Sequence, residues 1–184
     1  MTEYKVSVRY AESLLGVAED KKKLDEITND VELIISVLES SRELFLVMES
    51  PIIKPELKLS ILNEIFKDKL NSETLNFLRF VINKGRENLL YNIMQNFMIL
   101  RDYKLGIANV RVKTAYELDD KGKTELIDLF NKYLNKKIKM KYQVDQEIIG
   151  GFVATVEDTV YDASLKHQLE LLKKQFLQGG GPLN

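Results

Sequence analysis

The sequence predicts an α+β, mainly α protein: a six-helix N-terminal bundle followed by a small C-terminal domain of order β-α-β-β-β-α. Three observations predict it. Apolar residues recur at three- and four-residue intervals through roughly the first hundred positions, as they do along the buried stripe of amphipathic helices. After Gly106 the period shortens to two, with Val110 and Val112 on one side of a strand and Arg111 and Lys113 on the other. The stretch from Val144 to Leu172 then holds a Gly-Gly step, two short strands and a helix start. The boundary is placed at Gly106, giving domains 1–105 and 106–184.

Tyr4, Val8, Ala11, Leu15 and Ala18 form the stripe of a first helix, and Leu24, Ile27, Val31, Ile34 and Leu38 that of a second, joined near Asp20. A short apolar segment, Leu44 to Met48, ends before Ser50-Pro51. Pro55 sits at a first helical position, where its missing N–H costs nothing, and opens a helix with Leu59, Leu62 and Phe66. Ser72 offers an N-cap, with Glu73 favourable to the positive end of the helix dipole. That helix, Thr74 to Lys84, stops at Gly85, which tolerates the left-handed conformation of a helix end. A sixth carries Leu89, Ile93, Phe97 and Leu100 and runs out near Gly106.

In the second domain, Leu126, Leu129, Phe130, Tyr133 and Leu134 make a helical stripe after the first strand. Ile138, Met140 and Tyr142 then alternate with Lys137, Lys139 and Lys141, which reads as a strand with one solvated face. Gly150-Gly151 supplies a turn before the strand Phe152 to Val156. A turn at Glu157-Asp158 leads to the strand Thr159 to Tyr161. Asp162 or Ser164 caps a last helix, on which Leu165, Leu169, Leu172 and Phe176 fall along one face. The tail Gly179-Gly180-Gly181-Pro182 cannot hold a helix.

Composition narrows the function classes. At 184 residues, 45% hydrophobic and 30% charged, the chain has ordinary globular composition. A net charge of −1 gives no global positive field to collect phosphates. The absence of Cys excludes a disulfide framework, a thiolate nucleophile and a cysteine metal site. The longest apolar runs are far short of the ~20 residues that span a bilayer. The N-terminus MTEYKVSVRYAESLL reads as neither secretory signal nor transit peptide, which points to a bacterial chain synthesised in its final form.

No residue set reads as catalytic, cofactor-binding or metal-binding. His167 lies off the leucine stripe of the last helix and is expected to face solvent, without the oriented partners that a catalytic or ligating histidine needs. Glu157, Asp158 and Asp162 serve a turn and a helix cap rather than a hard-metal site. Gly150-Gly151 lacks the further glycines and the lysine of a nucleotide loop. The lysines from Lys137 to Lys141 have no interleaved exposed aromatics and read as a solvated edge. The helix from Thr74 to Lys84 is different: Leu75, Phe77, Leu78, Phe80, Val81 and Ile82 point nearly all around its axis. Such a helix must be covered on every side, either by being central or by receiving a partner helix.

Val144-Asp145, Ile149-Gly150-Gly151, Asp158, Val160, Asp162, Ser164, Leu165 and Leu169 match in order and spacing a C-terminal signature of a known family. The chain resembles the delta subunits of bacterial F-type ATP synthases, counterparts of the mitochondrial oligomycin-sensitivity-conferring protein. Two positions depart from it. Glu157 stands where the family has Gly before the Asp, and Ala163 where it has Gly between Asp and Ser. RYAESLLGVA, Arg9 to Ala18, resembles the family's opening helix, and Asn83-Lys84-Gly85-Arg86 its polar-Gly-Arg corner, so the resemblance covers nearly the whole chain.

The resemblance implies a non-catalytic stator, or peripheral stalk, subunit that needs no cofactor. Its bundle would grip the catalytic head and its C-terminal domain would bind the C-terminal part of the membrane-anchored b subunits, coupling H⁺ or Na⁺ flow to ATP synthesis or hydrolysis. It implies a peripheral position on the cytoplasmic face of the bacterial cell membrane. In such subunits the first and fifth helices form the groove for the N-terminal helix of an alpha subunit. The corresponding residues here are Tyr10, Ala11, Leu14 and Ala18, with Leu75, Leu78, Arg79 and Ile82. Ala11 and Ala18 are small enough for close helix approach, and Arg79 suits a polar rim. The competing class, a small nucleic-acid-associated helical or adaptor protein, calls for a basic recognition face that the near-zero net charge disfavours.

Overall fold

A computed structural model describes residues 3–156 and 158–177 of the chain. Glu157 and the glycine-rich tail at 179–182, both singled out above, lie outside the described residues. The described chain divides into two compact units, Met1–Arg101 and Asp102–Asn184. The division falls inside the sixth helix, four residues before the boundary expected at Gly106. Asp102 goes with the second unit, where its Oδ2 accepts a hydrogen bond from Asn109 Nδ2 at 2.8 Å.

The first unit has six α-helices: α1 (Glu3–Asp20), α2 (Leu24–Ser40), α3 (Arg42–Glu49), α4 (Pro55–Phe66), α5 (Ser72–Asn83) and α6 (Leu90–Lys104). A 3-10 turn, Glu87–Leu89, leads into α6. Helix α1 buries Ser7, Ala11, Leu14, Leu15 and Ala18, and α2 buries Ile27, Val31, Ile34 and Leu38 at the expected spacings. These residues join Leu62, Phe66, Leu78, Val81, Ile93 and Phe97 in one apolar core. Tyr4, expected on the buried stripe of α1, is 69% exposed. It stands in the first turn, and the buried stripe begins at Ser7. Ser7 and Lys58 are among the polar side chains buried in this unit. Ser7 Oγ donates to Tyr4 O and accepts from Asn96 Nδ2, both at 2.9 Å, tying α1 to α6. Lys58, 1% exposed, donates to Met48 O at 3.0 Å and to Glu87 Oε1 at 2.8 Å.

The second unit comprises β1 (Ile107–Thr114), α7 (Asp120–Leu134), β2 (Lys137–Val144), β3 (Phe152–Val156), β4 (Thr159–Asp162) and α8 (Leu165–Leu177). The strands form one sheet in the order β2-β1-β3-β4. Because α7 carries the chain back across the sheet, β2 pairs with β1 in parallel, Val110 beside Met140 and Val112 beside Tyr142. Strand β3 runs antiparallel to both β1 and β4. One face of the sheet and α7 enclose Ala108, Val110, Val112, Phe130, Ala154 and Val156. Phe130 meets Phe152 and Tyr161 edge-on, with centroids 6.2 and 6.0 Å apart.

Two expectations for this unit change, and the last helix stands apart from the core. Leu129 and Tyr133 are 53% and 67% exposed, because the buried face of α7 runs through Phe130 with Leu126 and Leu134 beside it and leaves them on its margin. His167 is half-buried rather than solvent-facing, since it stands in the first turn of α8. The apolar stripe of α8 is not part of a core: none of the helix's residues is buried.

Candidate functional site

Helix α5 is fixed at both ends before it presents any surface. Its N-cap is Asn71, not Ser72: the Asn71 side-chain oxygen accepts from Glu73 N at 3.2 Å, and Ser72 is already the first helical residue. Asn71 is held in turn by α2, through Asp30 Oδ2 on its backbone N–H at 2.9 Å and Glu26 Oε2 on its side-chain amide at 2.6 Å. At the other end Gly85 has φ of 63°. Its N–H reaches Ile82 O and that of Arg86 reaches Val81 O, the paired bonds of a Schellman stop.

Between these ends α5 buries one side only: Thr74, Phe77, Leu78, Val81 and Ile82. The all-round cover expected from its apolar residues is absent among the described residues, since Phe80 is 44% exposed and Leu75 is half-buried. Five of the eight groove residues lie inside the bundle. Ala11, Leu14 and Ala18 are fully buried, and Leu78 and Ile82 are 2% and 1% exposed. Tyr10 and Leu75 are half-buried and Arg79 is exposed.

The residue of α5 that meets Tyr10 is Phe80, with ring centroids 5.8 Å apart. At about 100° per residue, Leu75 and Arg79 sit about 140° and 100° from Phe80 around the helix axis. They therefore lie on the other flank of α5. The surface along the α1–α5 seam is built from Tyr10 and Phe80, with Lys84 Nζ 5.7 Å from the Phe80 ring centroid. On α1, Val6 and Val17 are half-buried on the same flank as Tyr10. The signal for Phe80 was in the sequence: it is a lone aromatic on the polar flank that carries Glu73, Asn76 and Asn83.

The signature segment proves to be a device for starting α8. Gly151 has φ of 78°, and a Cβ there would collide with the Ala163 carbonyl oxygen. A Cβ on Gly150 would lie 2.6 Å from Leu165 Cδ1. The two glycines thus let residues 163–165 pass close by, and Leu165 N donates to Gly150 O at 2.9 Å. Of the two candidate caps, Ser164 serves, its Oγ accepting from His167 N at 3.2 Å. Asp162 Oδ1 accepts from Ser164 N at 2.9 Å. Hydrogen bonds from Ser164 hold the Asp162 carboxyl below the usual aspartate value, with His167 and Lys166 adding smaller attractions.

From this anchored start α8 carries Leu165, Leu169, Leu172 and Phe176 along one face, at 47%, 62%, 48% and 82% exposure. These four large apolar side chains form a continuous exposed line on one helix and bring together no groups for chemistry. Among the described residues no group of three or more His, Cys, Asp or Glu side chains could hold a metal ion. No described helix is long and apolar enough to cross a membrane.

Comparison with known proteins agrees with this geometry. The family model for the ATP synthase delta (OSCP) subunit matches residues 6–176. The ATP synthase subunit delta of Pelodictyon phaeoclathratiforme is 38% identical over 171 residues, which cover 93% of this chain and 96% of that protein. The subunits delta of Chlorobaculum tepidum and Chlorobaculum parvum are 38% and 39% identical, over 91% and 93% of this chain and 92% and 94% of theirs. In fold, the chain is similar over its whole length to the whole of a chain in the cryo-EM structure of the Toxoplasma gondii mitochondrial ATP synthase hexamer. The TM-score is 0.76 at 22% identity. The chain belongs to the ATP synthase delta (OSCP) subunit family, the non-catalytic stator subunits of the peripheral stalk of F-type ATP synthases.

Proposed function

We propose that this subunit clamps two helical partners, one on each of its units: the N-terminal helix of an alpha subunit along the α1–α5 seam, and the C-terminal part of the b subunits on α8. The observation that carries this reading is α8, whose Leu165, Leu169, Leu172 and Phe176 stripe stays uncovered along the whole helix. Such a face is stable in water only when another apolar surface covers it, and helices of a stalk supply one. The seam supports the first contact more modestly, through the half-exposed Phe80 ring against Tyr10.

In this reading the clamp sits on the cytoplasmic face of the membrane and holds the catalytic head still against rotor torque. Neither contact needs to be tight alone, because engaging one raises the effective concentration at the other.

Two variants of the full chain test the two contacts separately. Binding of a synthetic alpha-subunit N-terminal peptide is expected to weaken about 30-fold in Phe80→Asp, the loss of one aromatic anchor of about 2 kcal/mol. Binding of the soluble C-terminal half of a b dimer is expected to fail in Leu169→Asp/Phe176→Asp and to persist in Phe80→Asp. Unchanged binding in either variant removes that contact from the reading. Leu78→Asp is unsuited to the purpose, because at 2% exposure it unpacks the bundle.

A further inference from the structure

The sheet of the second unit has two unlike faces. The even-numbered residues of β1, with Ile138, Met140 and Tyr142 of β2, face the apolar core under α7. The odd-numbered ones, Asn109, Arg111, Lys113, Lys137, Lys139 and Lys141, are exposed. Five cations therefore share one open face. Registration makes the crowding direct: Arg111 lies beside Lys141, and Lys139 beside Asn109. Lys113 has a carboxylate partner, Asp145, at 2.9 Å. Among the described residues Arg111, Lys137, Lys139 and Lys141 have none.

Edge protection accounts for only part of this pattern. Lysines on an edge strand deter unwanted strand pairing, and β2 is an edge. Strand β1 is interior to the sheet, so Arg111 and Lys113 protect nothing. Placing Arg111 directly across from Lys141 sets like charges opposite each other, which weakens the sheet. Nor does the unit as a whole carry excess positive charge: residues 102–184 contain thirteen Lys and Arg against twelve Asp and Glu. Five of those thirteen cations are gathered onto this face.

We propose that this open face docks an acidic α-helix of another protein, with Glu or Asp at i, i+4 and i+7 aligned along β1 and β2. The repeats fit. Alternate residues of β2 recur about every 6.7 Å, and four residues of helix rise about 6 Å, a mismatch that long lysine side chains absorb. Two strands are about 4.8 Å apart, so one helix about 10 Å across covers both rows of cations. A shallow cavity of about 520 Å³ lies where Arg111, Lys113, Lys141, Gln143 and Thr155 meet, room for the partner's carboxylates. The exposed odd positions of β1 and β2 carry no aromatic side chain on which bases could stack, which sets a nucleic-acid strand behind an acidic helix as occupant. This surface is separate from the apolar stripe of α8 and does not depend on its role.

The probe is a fluorescent Ala-based helical peptide with Glu at i, i+4, i+7 and i+11, titrated against the full chain in low-salt buffer. Binding is expected to weaken with added salt, to vanish for the same peptide with Gln in place of Glu, and to fall about tenfold or more in Lys137→Glu/Lys139→Glu/Lys141→Glu. Lys→Arg at the same three positions is expected to retain it. A second readout separates docking from folding. Lys141→Glu turns the repulsion with Arg111 into attraction, so this single variant is expected to raise Tm while weakening the peptide. Equal binding by parent and triple-Glu variant overturns the proposal, as does a fall in Tm for Lys141→Glu. So does tighter binding of a single-stranded oligonucleotide or of phosphatidylglycerol vesicles than of the peptide.

Discussion

One oxygen of Asp30, Oδ2, accepts both the Thr74 hydroxyl at 2.5 Å and the Asn71 backbone N–H at 2.9 Å, fastening α2 to the first turn of α5. Asp30 is 8% exposed and Thr74 fully buried, so the Thr74 hydroxyl has no water as a substitute. The helix that presents Phe80 is therefore positioned by a polar contact some two turns away from it.

Replacing this carboxylate tests the link. Asp30→Ala leaves the buried Thr74 hydroxyl and the part-buried Asn71 N–H without their acceptor and is expected to cost about 2 kcal/mol in urea denaturation. Thr74→Val is expected to cost about 1 kcal/mol alone and little further in the Asp30→Ala background, because the two residues form one network. Additive losses in the double variant would show that they act independently.

Lys58 and Glu87 give a second prediction with opposite arms. Lys58 is 1% exposed and Glu87 13%, and Glu87 Oε2 is buried with no hydrogen-bond partner among the described residues. Lys58→Met strands that carboxylate in the interior and is expected to cost about 3 kcal/mol. Lys58→Met/Glu87→Leu removes both charges and is expected to regain most of the loss, measured by the same denaturation midpoint.

These two networks mark where the sequence stops being legible. Amphipathic period revealed the long helices of the bundle and the alternation of β1 and β2, because burial on one face imposes a spacing that survives in one dimension, whereas α3 shows in the sequence only as the apolar run Leu44 to Met48. Lys58 looks like any surface lysine in that reading. Its burial follows from Met48 O and Glu87, ten and twenty-nine residues away, which no local pattern encodes. The same limit applies to the seam. Ala11, Leu14 and Leu78 are expected from the resemblance to line a partner's groove and lie inside the bundle instead, because spacing alone does not distinguish the bundle's own core from a groove. Phe80, one turn past Asn76 on a polar flank, is the exposed member of the Tyr10–Phe80 pair. For α8 the leucine spacing was plain, whereas its lack of any covering layer depends on the sheet's other elements and could not be read locally.

Acid should loosen the start of α8 only at low pH. Hydrogen bonds from Ser164 favour the charged form of Asp162, so its folded pKa lies below the ordinary 3.8. A depressed carboxyl contributes stability that is fully present above the ordinary value and is lost as pH falls through the folded one. Any such contribution therefore disappears only below pH 3.8. Ser164→Ala is expected to raise the Asp162 pKa, read by carboxyl-carbon NMR titration, and to fray the first turn of α8. An unchanged titration would mean that Ser164 is not the cause of the shift.

The Gly-Gly step makes a graded prediction, because its two glycines are required for different reasons. Gly151 combines φ of 78° with a backbone oxygen, that of Ala163, where a Cβ would sit. Neither can yield without moving the β4–α8 connection, so Gly151→Ala is expected to cost about 2–3 kcal/mol. At Gly150 the obstacle is Leu165 Cδ1 at 2.6 Å, the end of a side chain that can rotate away, and no positive φ is involved. Gly150→Ala is therefore expected to cost about 1 kcal/mol, within the range of mild overpacking. Tryptic nicking after Lys166 and amide exchange along α8 should report both variants in that order. The alpha-subunit peptide, which tests the other unit, should bind each as it binds the parent. Equal losses at the two glycines would mean that the turn, rather than the close passage of residues 163–165, is what the pair provides.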